Sequence, residues 1–314
     1  MSLQRGKFSL IAPRMTNPSK TAFIGLGVMG GPMAGHLARA GHQVTAYNRN
    51  PQRTAAWREK WADEGLSIHF ADSPAKAAEG AEIVFTCVGN DQDLQSVTLD
   101  AGGALEGMAP GSLLVDHTTV SANMARQLAV AAEERGMDFI DAPVSGGQAG
   151  AENGALAIMC GGSEAAMARA TPVMDCYAAR IVRVGDVGAG QTAKMANQMC
   201  IAGTLAGLAE AIRLAQAAGL DMEKTYEAIS GGAAQSWQMN NRWETMVADK
   251  FEFGFALDWM RKDLGYALEE ARRLGLSSPV VALVDQFYAD VQAAGGGRWD
   301  TSALITRLPK SDPK

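Results

Sequence analysis

The chain has 314 residues, a length that suits two domains better than one. With 47% hydrophobic and 20% charged residues it can bury a sizeable core, and a net charge of −6 gives no reason to expect a nucleic-acid partner. No apolar run reaches the roughly 18 residues that span a bilayer, so no membrane partner is expected. The nearest, 199–220, is broken by glycines and carries Glu210 and Arg213.

The first 19 residues, with the lysine that follows, hold Arg5, Lys7, Arg14 and Lys20 and no acidic residue. A transit peptide has such a composition, but no long amphipathic Arg-rich helix is present. The segment 1–19 therefore reads as a flexible leader, added in cloning or produced by an early start codon, with Met15 a candidate native start.

Next comes Phe23-Ile24-Gly25-Leu26-Gly27-Val28-Met29-Gly30, an apolar strand running into G-x-G-x-x-G and then a helix over about 29–40. Gly25 permits the tight turn, Gly27 lets a pyrophosphate approach the backbone, and Gly30 lets the helix pack on the strand. Pro32 falls in the first helical turn, where a missing N–H costs nothing. A second strand follows at 43–48. This context predicts a dinucleotide site on Gly25, Leu26, Gly27, Val28, Met29 and Gly30, with free N–H groups and the positive end of the helix dipole facing the phosphates.

The carboxylate that normally ends the second strand and holds the ribose 2′-hydroxyl is absent. Asn48-Arg49-Asn50 stands there instead, with Arg53 beyond. A guanidinium suits a phosphate by charge and by its forked geometry. NADP is therefore expected over NAD, with Asn48, Arg49 and Asn50 at the ribose end.

Up to about residue 188 short β-rich runs alternate with alanine-rich helical runs. Strands are expected at 21–26, 43–48, 67–71, 82–88, 112–117, 138–142, 155–160 and 180–184, with helices between them such as 121–135 and 163–177. Runs such as Ile83-Val84-Phe85 and Leu113-Leu114-Val115 are apolar throughout, as strands covered on both faces of a parallel sheet are. From 189 on only helical patterns remain: 189–218, 222–230, 236–248, 257–274 and 280–293, then 302–308. The expected fold is α/β, a Rossmann-type doubly wound, mostly parallel sheet over 20–188, followed by an all-α C-terminal domain over 189–314.

The four cysteines, Cys87, Cys160, Cys176 and Cys200, form no C-x-x-C pair, and His36, His42, His69 and His117 have no ligand spacing. No metal is expected, and the thiols fit a reducing compartment, the cytoplasm.

Asp141-Ala142-Pro143-Val144-Ser145-Gly146-Gly147 follows a strand at the ligand-binding edge of such a sheet. The Ser145 hydroxyl and the N–H groups behind it can hold a carboxylate. Lys194 lies in the second turn of the long helix, sharing a face with Asn197 at i+3 and Gln198 at i+4. Lysine is unfavourable at that end of the dipole. Lys262-Asp263 lies far away in sequence on another helix.

Four blocks together resemble the β-hydroxyacid dehydrogenase family, which includes 3-hydroxyisobutyrate dehydrogenase, tartronate semialdehyde reductase and the glyoxylate/succinic semialdehyde reductases. They are G-L-G-V-M-G-G-P-M-A from Gly25, D-A-P-V-S-G-G-Q-A-G-A-E-N-G from Asp141, the segment 188–198 around Lys194, and Lys262-Asp263-Leu264. The resemblance covers about 21–308. It implies hydride transfer between NADP(H), or NAD, and a small carboxylate-bearing hydroxyacid or semialdehyde. It makes Lys194 the general acid/base, Ser145, Gly146 and Gly147 the carboxylate site, and Asn197 an orienting group. Gln198, standing where many members have a second asparagine, would also contact the substrate. Phe255 and Asp263 would close the pocket, while Thr119, Lys262 and the loop at Val88, which departs from the commoner proline-containing version, would face the cofactor. A hinge is expected at Gly185, Gly188 and Gly190, and the helical domain is expected to form a homodimer or homotetramer. Imine reduction on the same scaffold is the enzyme rival, although those relatives usually carry another residue at Lys194. A non-catalytic NADP-binding module is the rival outside enzymes.

Overall fold

The structure, a computed structural model, describes residues 18–310. Apart from Pro18 and Ser19, the expected leader and the candidate start at Met15 lie outside the described residues.

In chain order the elements are β1 (Lys20–Ile24), α1 (Gly30–Arg39), β2 (Gln43–Tyr47), α2 (Pro51–Asp63), β3 (Ile68–Phe70), α3 (Pro74–Ala78), β4 (Ile83–Thr86), α4 (Asp91–Thr98), α5 (Ala104–Gly107), β5 (Leu113–Asp116), α6 (Ala122–Glu133), β6 (Asp138–Asp141), β7 (Val144–Ser145), α7 (Gly147–Glu152), β8 (Leu156–Gly161), α8 (Glu164–Met174) and β9 (Ala178–Gly185). Helices follow: α9 (Ala189–Ala217), α10 (Met222–Ile229), α11 (Trp237–Val247), α12 (Leu257–Arg273) and α13 (Pro279–Ala293), then two short 3-10 segments. No helix among the described residues is long and apolar enough to cross a membrane.

The strands form one sheet in the order β3-β2-β1-β4-β5-β6-β8-β7, with β9 also paired to β8. From β3 to β6 all neighbours are parallel; β8 is antiparallel to β6 and β7, and β9 is parallel to β8. Strand order reverses between β1 and β4, so their carboxyl ends flank the crevice where such sheets bind ligands. One strand more is present than the sequence led us to expect. The two-residue β7 is too short for alternation to reveal it, and glycines follow it directly.

Successive strand residues point to opposite layers. Phe23, Phe85, Leu113 and Val115 pack with Met33, Leu37 and Trp61 on one face. Ala22, Ile24, Val84 and Leu114 pack with Leu94, Met124 and Leu128 on the other. A third core of Leu205, Leu208, Ile212, Trp243, Met260 and Tyr288 joins α9, α11, α12 and α13.

The turn from β1 to α1 fixes the mouth of the crevice. Gly25 has φ +100°, open to glycine at little cost. A Cβ on Gly30 would come 1.9 Å from the Gly25 carbonyl oxygen, whereas one on Gly27 would meet nothing within 4 Å. Gly30→Ala should therefore lower stability by about 2–4 kcal/mol, seen as a clear fall in Tm, because a backbone oxygen cannot step aside. Gly27→Ala should leave Tm within about 2 °C of wild type. Equal melting of the two variants would show that close packing at Gly30 is not what fixes this turn.

Candidate active site

The site is built outward from the start of α9. Asp141, at the end of β6, is fully buried and accepts the Gly188 N–H at 2.7 Å and the Gln191 N–H at 2.8 Å. Burial pushes its carboxyl up to about 7 while these two donors pull it down. Gln191, also fully buried, donates to the Thr118 carbonyl at 2.7 Å and accepts from the Val120 N–H at 3.1 Å. A Cβ on Gly190 would lie 2.5 Å from the carbonyl oxygens of both Asp141 and Met159. The first turn of α9 is thus fastened to the sheet, and Gly190 serves close packing. This corrects the hinge expected at Gly188 and Gly190: hydrogen bonds and backbone contact hold the chain there.

Less than two turns into α9, Lys194 is only 7% exposed. Burial is the main cause that lowers its pKa, to about 8; the Asp263 charge acts against this fall and the Lys262 charge adds to it. Gln198 lies on the same face, donating to Asp263 Oδ2 at 2.6 Å and accepting from Asn197 Nδ2 at 2.8 Å. Asp263 is 2% exposed, and burial raises its carboxyl against the pull of Lys262 and Lys194. The structure therefore brings Lys194, Asn197 and Gln198 together with Asp263 from α12.

Lys262 on α12 reaches the other way. Its ammonium donates to the carbonyls of Gly89 at 2.8 Å and Thr119 at 2.7 Å, and lies 3.3 Å from Asp263 Oδ1. Those carbonyls belong to the loops after β4 and β5. The same loops are stitched to each other where Thr118 Oγ1 accepts the Val88 N–H at 3.1 Å. Asp116 accepts from the Thr86 hydroxyl at 2.7 Å and the Thr118 N–H at 3.0 Å. Val88, Thr119 and Lys262 thus meet at one edge of the crevice.

At its other edge, Gly25, Gly27, Val28, Met29 and Gly30 form the turn into α1, whose first turn leaves N–H groups without intrahelical acceptors. Open space at Gly27 and a 59% exposed Val28 leave this turn accessible from one side, as a phosphate cradle requires. Leu26 differs from expectation. Its side chain is fully buried, its N–H is held by Asn48 Oδ1 at 2.9 Å, and its carbonyl accepts from Trp57 Nε1 at 2.9 Å. Leu26 shapes the loop and has no free polar group to offer a ligand. Asn48 also donates to the Asn50 carbonyl, and Asn50 caps α2 through the Arg53 N–H. Arg49, between these two in the loop after β2, has an exposed side chain.

Ser145 ends β7, paired with Ala157 of β8, and Gly146 (φ +132°) and Gly147 (φ +62°) turn the chain into α7. The segment is a strand-to-helix junction with both glycines exposed. Phe255, just before α12, is 36% exposed and tied by its N–H to Asp300 Oδ2 at 3.0 Å.

Sequence reasoning passed over Trp259, Tyr266, Asp91 and Asp93. A Cβ on Gly89 would come within 3.3 Å of the Trp259 ring, the Lys262 ammonium lies 5.5 Å from both the Trp259 and Tyr266 rings, and Tyr266 Oη accepts the Asp91 N–H at 3.3 Å. The signal was the spacing of 259, 262 and 266, which lie on one stripe of α12. Among the described residues no cluster of His, Cys, Asp or Glu could hold a metal. A groove of about 800 Å³ bordered by Arg213, Phe251, Trp299 and Leu308 shares no residue with this site.

A doubly wound sheet with a glycine-rich turn at its switch point, facing a buried lysine on the first long helix behind it, defines a nicotinamide-dinucleotide-dependent oxidoreductase. Residues 20–185 match the family model of the NAD binding domain of 6-phosphogluconate dehydrogenase. Residues 188–308 match that of the NAD-binding of NADP-dependent 3-hydroxyisobutyrate dehydrogenase. The chain is 56% identical to an uncharacterized oxidoreductase of Shewanella frigidimarina (strain NCIMB 400), covering 93% of this chain and 99% of that one. It is 35% identical to the 2-hydroxy-3-oxopropionate reductase of Escherichia coli (strain K12), covering 92% and 97%. Among solved structures, Mycobacterium tuberculosis 3-hydroxyisobutyrate dehydrogenase with L-serine superposes with a TM-score of 0.84 at 31% identity, covering 93% and 99%. The chain belongs to the β-hydroxyacid dehydrogenase family and is an NAD(P)-dependent oxidoreductase acting on CH–OH groups.

Because Asp263 opposes the fall of the Lys194 pKa, Asp263→Asn should move the Lys194 limb of the pH–rate profile to lower pH. The same substitution should also cut kcat by roughly tenfold. An unmoved limb in kcat/KM against pH would show that the two groups are not coupled.

Proposed function

We propose that the protein interconverts a small β-hydroxyacid and its semialdehyde, with NADP(H) preferred over NAD(H). The observation that carries this reading is Lys194, a buried amine whose pKa burial lowers to about 8, on a helix fastened to the cofactor-side loops. Asp263 is paired with Lys262 and Gln198, which leaves Lys194 free to exchange its proton.

The nicotinamide supplies or accepts the hydride. The chain has to supply a proton, an anchor for the carboxylate and a cleft that sheds water. In reduction the Lys194 ammonium gives its proton to the carbonyl oxygen, and in oxidation the neutral amine takes the hydroxyl proton. A pKa near 8 keeps both forms populated around neutral pH. Ser145 and the N–H groups at Gly146 and Gly147 hold the carboxylate. Asn197 orients substrate and Lys194, and Gln198 keeps Asp263 in place. Phe255 and Asp263 wall the pocket from the helical side, and Lys262 sets the loops of Gly89 and Thr119 against it.

The relatives' names support the substrate class. Both 3-hydroxyisobutyrate and 2-hydroxy-3-oxopropionate carry a carboxylate and an oxygen function on the third carbon. Arg49, at the ribose end of the crevice with no carboxylate beside it in the sequence, supports NADP. We divide the chain into a nucleotide domain, 20–188, and a helical domain, 189–314. The four cysteines are free, in keeping with a cytoplasmic enzyme.

Lys194→Ala should reduce kcat by roughly 10²–10⁴-fold and leave nucleotide affinity nearly unchanged, since a general acid/base need not hold the cofactor. With wild type, oxidation should rise with pH to a plateau above about 8 and reduction should fall over the same range. Retention of a tenth of kcat by the alanine variant, with NADPH and a panel of semialdehydes, would sink the assignment.

The helical domain exposes Leu214, Leu220, Leu274, Leu276, Val280 and Leu283, each more than half accessible. We expect a homodimer or homotetramer that covers such residues. Light scattering at micromolar concentration checks this, and a monomer mass refutes it.

A further inference from the structure

We propose that Asp93 tempers the preference between the two nicotinamide dinucleotides by holding the Arg49 guanidinium. The inference rests on the reading of Arg49 as the group that meets a 2′-phosphate. Arg49 Nη1 donates to Asp93 Oδ1 at 3.0 Å. The two residues come from different loops, Arg49 from the end of β2 and Asp93 from the first turn of α4, behind β4. In the sheet β1 lies between β2 and β4. The pair therefore reaches across the carboxyl end of β1, where the crevice opens for the adenosine half of a dinucleotide.

The two partners differ in freedom. Arg49 is 74% exposed, on a long side chain, and Asp93 only 26%. Asp93 is set in place by its neighbours. Its N–H is held by Asn90 Oδ1 at 2.8 Å, and its side chain folds onto Gly89, where an added Cβ would come 2.5 Å from Oδ2. Gly89 in turn is held by Lys262 through its carbonyl. The carboxylate is the fixed member and the guanidinium the adaptable one.

The chemistry follows from that asymmetry. In most dinucleotide folds a carboxylate at the end of the second strand accepts from the ribose hydroxyls and repels a 2′-phosphate. Here Asn48 and Asn50 are occupied within the chain, and the carboxylate near Arg49 is supplied from α4. A 2′-phosphate must share the Arg49 guanidinium with Asp93, whereas a free ribose diol makes no such demand on it. Asp93 thereby narrows the advantage that Arg49 gives NADP. An exposed ion pair is weak, so the effect is moderate, about three- to tenfold in relative affinity.

Calorimetric titration with NADP⁺ and with NAD⁺ tests this without turnover. The proteins are wild type, Asp93→Asn, Asp93→Ser, Arg49→Ala and the Arg49→Ala/Asp93→Asn double variant. Asparagine keeps the size of the side chain, and serine guards against an amide that still binds Arg49. Either Asp93 variant should tighten NADP⁺ about three- to tenfold relative to NAD⁺. In the Arg49→Ala background the same change should shift that ratio less than about twofold, because the partner through which Asp93 acts is gone. Ratios within twofold of wild type for both Asp93 variants would overturn the proposal, as would a gain undiminished without Arg49. The underlying reading is scored separately. Arg49→Ala must weaken NADP⁺ more than NAD⁺; if it does, and the Asp93 variants do nothing, only the role of Asp93 falls. If Arg49→Ala leaves the ratio unchanged, the reading of Arg49 falls and this inference with it.

Discussion

Everything in the site is referred to one fastening, the junction of β6 with the start of α9. A single buried carboxylate, Asp141, takes two N–H groups of the opening of a 29-residue helix. Those donors would otherwise be orphaned, and the helix dipole favours an anion there. Gln191 then ties the same turn to the loop after β5 by both ends of its amide. With no Cβ at Gly190 the helix can approach the sheet until backbone meets backbone. The consequence is positional. Lys194 stands one turn beyond the fastening, so its place relative to the cofactor-side loops is set by the sheet. The helical core assembles on the remainder of α9 and does not determine it.

The second connection is of another kind. α12 meets the loops after β4 and β5 through the Lys262 ammonium and the Tyr266 hydroxyl, backed by the Trp259 ring. These are a few bonds at side-chain tips, where the α9 junction is backbone packed on backbone. Separating α12 from these loops breaks those bonds and also disturbs the buried packing of Ala267 with Ala122 and Met195. The carbonyls of Gly89 and Thr119 would then lose a charged donor, so each such separation carries a cost on the order of a charge-assisted hydrogen bond or two, about 1.5–3 kcal/mol apiece.

The sheet was legible because its signals are local. Apolar runs and the glycine spacing at Gly25 lie within a few residues of what they specify. Lys194, Asn197 and Gln198 were legible as one face for the same reason. What escaped depends on pairs far apart in sequence. Asp93 meets Arg49 at a separation of 44 residues, and Lys262 meets Gly89 at 173. No periodicity encodes such a meeting. Gly190 escaped differently: a glycine near a domain boundary looks like a hinge until the neighbouring backbone is seen to leave no room for a Cβ. Leu26 lay inside a recognised motif, yet its two backbone groups are used within the chain, which the motif alone does not reveal.

Gln198 places an uncharged amide among charged groups. Lys194, Lys262 and Asp263 are three ionisable groups in a largely water-excluded place, and burial opposes the charge on Lys194 and on Asp263. Had Asp263 paired directly with Lys194, the ammonium would be stabilised and the amine unavailable as a base. The longer amide of Gln198 reaches Asp263 Oδ2 at 2.6 Å, and Lys262 stands by Oδ1 at 3.3 Å. Gln198 bonds one carboxyl oxygen, and Lys262 stands beside the other, which is buried without a hydrogen bond. Lys194 feels this group across space. Asn197 continues the chain by donating to Gln198 Oε1, which fixes the amide's orientation and directs its N–H groups at the carboxylate. The pKa near 8 thus follows from burial and the Lys262 charge, which lower it, and from the Asp263 charge, which limits the fall.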